Sequence, residues 1–126
     1  MDFLIRYGFS IEDIKEMMDT NIVIDSLNDE NASMLVDVLN RLEIEKFEIR
    51  NILVANPFYL NRNIREIESL ILEFSKLNIK DLKTLFEANP FILNMDVKEF
   101  KEMISSLEKQ GFNKLEIIDY LKYDFI

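Results

Sequence analysis

Among the 126 residues of the chain there is no cysteine, no histidine and no tryptophan. Without Cys there is no disulfide framework and no thiolate nucleophile. Without His there is no imidazole to move protons near neutral pH, and the common zinc ligands are gone as well. Carboxylates, Lys, Ser/Thr and Tyr remain. They form no Gly-rich phosphate loop, no nucleophile–base pair and no carboxylate pair with a reason to be buried, so no catalytic role, metal or cofactor is expected. Two Gly and two Pro leave little turn chemistry, which favours few, long helices. No apolar run nears the roughly 20 residues that span a bilayer. The opening stretch, MDFLIRYGFSIEDIKEMMD, lacks the basic start of a secretion signal, so a cytoplasmic protein that does not enter membranes is expected.

What is present is ordinary for a folded protein: 48% hydrophobic and 31% charged residues, in a length suited to a single domain over 1–126. One stretch occurs twice. Residues 51–62 read NILVANPFYLNR and residues 84–95 read TLFEANPFILNM, with Asn56 and Asn89 separated by 33 positions. A period of 20 to 50 residues marks a helical solenoid, in which each unit buries its apolar face only against its neighbours.

Apolar residues at helical spacing predict helices over about 11–19, 30–41, 45–55, 64–76, 79–87, 97–109 and 113–123, with Phe3–Tyr7 as the tail of another. Gly8 and Gly111 suit the residue just past a helix end, and Ser10 followed by Asp13 resembles a capping box. Asn56-Pro57 and Asn89-Pro90 stop the shorter helices, because Pro cannot donate and turns its predecessor away from helix. The β-branched segment Asn21–Leu27 has no partner strand in view and reads as a buried connection. Gly8-Phe9-Ser10 and Gly111-Phe112-Asn113 take equivalent places, as do Leu42-x-Ile44 and Leu77-x-Ile79. The expected fold is therefore all-α: a short right-handed α-solenoid of about three helix-turn-helix repeats with a 33–35 residue period, divided as 3–28, 29–61, 62–95 and a partial 96–126.

These features resemble the mTERF family, the mitochondrial transcription termination factor-like helical repeats. The likeness is carried by Leu53…Asn56-Pro57-Phe58-x-Leu60 and Phe86…Asn89-Pro90-Phe91-x-Leu93, and by the Gly-Phe-Ser/Asn turns at Gly8 and Gly111. It implies a stack of two-helix units, each closed by a proline break. It also implies a nucleic-acid-binding regulator of transcription.

Charge points elsewhere. The net charge is −9, distributed as −7 over residues 1–40, +1 over 41–83 and −3 over 84–126. Such a chain is repelled by phosphate unless it carries a local basic face. The leading expectation is accordingly a non-catalytic interaction protein. It would bind another protein through its groove or through an acidic face of Glu12, Asp13, Glu16, Asp19, Asp25, Asp29 and Glu30. That face could occupy the basic groove of a nucleic-acid-handling complex in place of its phosphates, as an inhibitor or regulator. The alternative is nucleic-acid binding through Arg41, Lys46, Arg50, Arg62 and Arg65 around the first Asn-Pro break. Glu43, Glu45, Glu48, Glu66 and Glu68 interleave with them and could simply pair with them at the surface. Phe58, Tyr59 and Phe91 could stack on bases, but such residues more often fill the seam between repeats, and the equivalent positions of Phe58 and Phe91 favour the core.

Overall fold

A computed structural model describes residues 2–21, 24, 27–77 and 81–124, the side chains of Asp2 and Asp124 excepted. Among the described residues eight α-helices follow one another: α1 (Asp2–Tyr7), α2 (Ile11–Thr20), α3 (Asp29–Arg41), α4 (Lys46–Ala55), α5 (Ile64–Lys76), α6 (Leu82–Ala88), α7 (Val97–Lys109) and α8 (Lys114–Asp119). There is no strand among the described residues. The chain is all-α, built of the repeated helix pairs that the doubled motif predicts.

Two compact units divide it, Met1–Ile64 and Arg65–Ile126. In the first, α1 packs on α3 and α2 on α4, so equivalent helices of consecutive repeats lie together. Its core includes Leu4, Met17, Leu35, Leu39, Ile49 and Leu53, all closed to solvent. The second unit is built around Phe74, whose ring meets Phe86 and Phe100 edge-on at 5.5 and 4.8 Å. Such geometry adds to simple burial.

The turns between paired helices share one device. The residue after the turn donates its N–H five residues back, Phe9 to the Leu4 carbonyl, Ile44 to Leu39 and Phe112 to Leu107. That bond requires a left-handed residue before it. Gly8 and Gly111 supply it at φ +106° and +93°, while Glu43 takes the same place at +65°. Glu43 has a Cβ and is strained there. Residue 78, the matching position of the third repeat, lies outside the described residues, as does Ile79. The helix expected from 79 is seen from Leu82. The Asp81 carboxylate caps it, accepting from the Thr84 N–H at 3.1 Å and the Thr84 hydroxyl at 2.5 Å. The expected capping box at the start of α2 is present, with Ser10 and Asp13 bonded reciprocally, and Asn113 with Glu116 builds another at α8.

After each Asn-Pro the chain makes a single 3₁₀ turn, Pro57–Asn61 and Pro90–Asn94. The preceding Asn is buried in both cases, and Asn21 in the connection after α2 is buried too. Two of these amides, Asn21 and Asn89, tie one repeat to the next. Asn21 donates through Nδ2 to the Pro57 carbonyl at 3.4 Å and to Asn61 Oδ1, and Asn89 donates to the Leu121 carbonyl at 2.9 Å. Asn21 and Ile24 are buried, as expected of that connection; residues 22, 23, 25 and 26 lie outside the described residues.

Three expectations are corrected. Phe58 and Phe91 are not core: they stay 45% and 47% exposed. A 3₁₀ turn has three residues per turn, so Pro57 and Leu60 share the inner face and Phe58 is carried outward. Tyr59 is the fully buried aromatic of that turn. Ile11 and Met34, apolar residues within the helices predicted over 11–19 and 30–41, are exposed, because Ile14 with Met17 and Leu35 with Val38 and Leu39 fill the inner faces. The last helix does not run evenly over 113–123; after Asp119 it widens into a π-helical turn, Tyr120–Asp124.

Candidate nucleic-acid interface

The first Asn-Pro break is anchored by Tyr59. Its hydroxyl donates to the Leu35 carbonyl of α3 at 2.6 Å. Burial pushes the phenol pKa well above its ordinary value, opposed by the charges of Arg41 and Arg62. Both positive charges are thus felt at the buried phenol of this turn. Arg41 ends α3 and is held by Asp37 one turn earlier at 3.2 Å, a solvent-exposed pair. Arg62 follows the 3₁₀ turn: its N–H donates to the Tyr59 carbonyl at 3.1 Å, and its own carbonyl accepts from Asn31 Nδ2 at 3.1 Å. The backbone at Arg62 is thus fixed from both sides. Phe58, on the outer side of this turn, presents half of its ring to solvent.

Lys46 and Arg50 go elsewhere. They stand one turn apart on α4 and reach toward the end of α1. Lys46 Nζ lies 4.9 Å from the centre of the Tyr7 ring. A Cβ added at Gly8 would come within 3.3 Å of an Arg50 guanidinium nitrogen and 3.9 Å of the Lys46 stem. Burial raises the Tyr7 phenol, and Arg50 opposes it. Arg65 is exposed and belongs to the second unit. Lys46 and Arg50 thus reach the end of α1, Arg41 and Arg62 act on the Tyr59 phenol, and Arg65 belongs to the second unit.

The acidic residues are dispersed by role. Glu12, Glu16 and Asp19 are exposed on α2 at spacings of four and three, which aligns them on one outward face. Asp13 is committed to the cap of its own helix. Asp29 pairs with Arg6 at 3.2 Å and, with Glu30, lines an open cleft of about 480 Å³ beside Phe3 and Tyr7. Asp25 lies outside the described residues. Among those described, no three carboxylates stand together as a metal site would require.

Sequence reasoning missed two features here. The outward turn of Phe58 was legible in principle from the Pro that starts a 3₁₀ turn. The pairing of Lys76 and Lys101 with Glu73 in the second unit, beside a cavity that Lys114 also lines, was not anticipated. Its one local signal is a carboxylate at Glu73, one turn after Leu70 on the buried stripe of α5.

No curated protein and no solved structure matches the chain significantly. The mTERF family profile matches residues 18–123, which takes in both Asn-Pro breaks, the second and third repeats whole, and parts of the first and last. Over that span of helix pairs and proline-started turns, the chain belongs to the mTERF family.

Proposed function

We propose that the protein is a non-catalytic regulator that binds single-stranded nucleic acid at its first Asn-Pro break. The observation that supports this reading is the exposed Phe58 on a turn that Arg62 closes through its N–H bond to the Tyr59 carbonyl, and that the Tyr59 hydroxyl ties to α3, the helix ended by the exposed Arg41. Two guanidinium groups supply fork-shaped donors for phosphate oxygens, and the half-bare ring offers a face on which a base stacks. A single strand suits this arrangement because its bases are free to leave their neighbours. The surplus negative charge on α2 repels a long phosphate backbone and confines binding to the local patch.

Fluorescence anisotropy with labelled single-stranded RNA and DNA, titrated with salt, tests it. Arg41→Glu with Arg62→Glu should abolish binding, and Phe58→Ala should weaken it by about 1–3 kcal/mol. Affinity unchanged by the double substitution would remove the patch.

A second reading has its own observation, the aligned and exposed Glu12, Glu16 and Asp19 with the exposed Ile11 beside them. That face suits a basic protein surface with an apolar point. Reversing the three charges to Lys should then abolish capture of a partner while leaving strand binding intact; a partner retained by the reversed protein excludes this reading.

A further inference from the structure

We propose that the second unit holds a binding site for a small anion with an apolar body, in the cavity between α5, α7 and α8. The cavity measures about 280 Å³. It is smaller than the clefts that take drug-sized ligands. Its walls include Leu77, Phe100, Ile104 and Ile117, with Phe100 and Ile117 almost wholly withdrawn from solvent. The rim carries Lys76, Lys101 and Lys114.

Glu73 explains how the lysines are held. Its side chain is only 10% exposed, an unusual place for a carboxylate, and it bridges Lys76 at 2.9 Å and Lys101 at 3.5 Å. A buried carboxylate needs such partners to stay ionised. The hydrogen bond from Lys76 and the charge of Lys101 hold its carboxyl below the usual range, against the effect of burial. One carboxylate thus gathers two ammonium groups at the mouth of an apolar cavity. Lys114 adds a third positive charge and Glu108 a second negative one, so the lining carries a surplus of +1 within a chain of −9. A ligand with one negative charge neutralises it, and an aliphatic or aromatic body covers the Leu77–Ile104–Ile117 wall. A neutral molecule leaves the charge uncompensated, and a polyanion exceeds it. The chemical class is therefore a short-chain or aryl carboxylate.

The test uses the full-length protein labelled with ¹⁵N and titrated with sodium hexanoate, with hexanamide as the uncharged match. Hexanoate should shift the amides of Leu77, Ser105 and Ile117 saturably with a Kd of about 1–10 mM, and hexanamide should bind at least several-fold more weakly. Lys101→Met with Lys114→Met should weaken hexanoate roughly tenfold while leaving the remainder of the spectrum in place, since both side chains are at the surface. Binding should also weaken with added salt. Equal titration by acid and amide, shifts confined to other residues, no shift at all, or undiminished affinity in the double variant would each overturn the proposal.

Discussion

Asn89→Asp is a nearly isosteric change that removes one hydrogen-bond donor from the seam of the second unit. Asn89 is buried, and its Nδ2 donates to the carbonyl of Leu121, a residue with no solvent exposure. The carbonyl loses that donor and faces a carboxylate oxygen instead. An unsatisfied buried acceptor costs about 1–3 kcal/mol. The ionised carboxylate, poor in water and beside another acceptor, adds to this, so a loss of about 2–4 kcal/mol is expected at pH 7. Burial raises the new carboxyl's folded pKa above its unfolded value of about 3.9. The folded state then binds the extra proton, so the penalty is smallest below about pH 4 and grows as pH rises toward the folded pKa. Protonated, the new group can donate to Leu121 again. Urea unfolding followed by far-ultraviolet circular dichroism, for both proteins at acid and neutral pH, measures this difference. Asn94→Asp in the same turn, at an exposed position, is the control and should stay within about 0.5 kcal/mol. A loss of similar size at both positions, or one independent of pH, would refute the assignment of Asn89 as a tie between repeats.

Other substitutions separate the remaining terms. Tyr59→Phe should cost about 1–1.5 kcal/mol by thermal unfolding, the typical worth of its bond to Leu35. Because burial raises that phenol's pKa, wild-type stability should be whole below about pH 10 and fall above it; Tyr59→Phe should flatten this alkaline limb. Glu43→Gly should stabilise by roughly 0.5–1 kcal/mol in denaturant unfolding, since it relieves a left-handed backbone at φ +65° and retains the turn; a loss would mean that the Glu43 side chain makes a compensating contact. Glu73→Gln should make stability less dependent on pH in acid. The wild-type carboxyl is held low by Lys76 and Lys101, so its contribution is present above the unfolded pKa of about 4.3 and is lost as pH falls through the folded value.

The sequence disclosed what depends on neighbours along the chain. Asn56-Pro57 and Asn89-Pro90 marked the breaks because a proline acts on its own turn and the residue before it. Gly8 and Gly111 marked left-handed turns because only glycine adopts them without strain. The same rule concealed Glu43, where tertiary packing imposes the conformation on a residue that does not prefer it. Phe58 and Phe91 mislead because equivalent positions suggest a shared place in the core, whereas the three-residue pitch of the turn carries both outward. The division of Arg41 and Arg62 from Lys46 and Arg50 depends on which side chains α1 and the Tyr59 turn attract. Lys46 meets Tyr7 across 39 positions and Arg50 approaches Gly8 across 42, and spacing along α4 alone does not reveal such contacts.

The most direct measurement for the central claim is photo-crosslinking of single-stranded RNA carrying 4-thiouridine, followed by mass spectrometry of the peptides. Binding at the first Asn-Pro break predicts crosslinks in the peptide that contains Phe58, lost in Phe58→Ala and suppressed by Arg41→Glu with Arg62→Glu. Crosslinks confined to other peptides, or no crosslink at low salt where phosphate contacts are strongest, would contradict it.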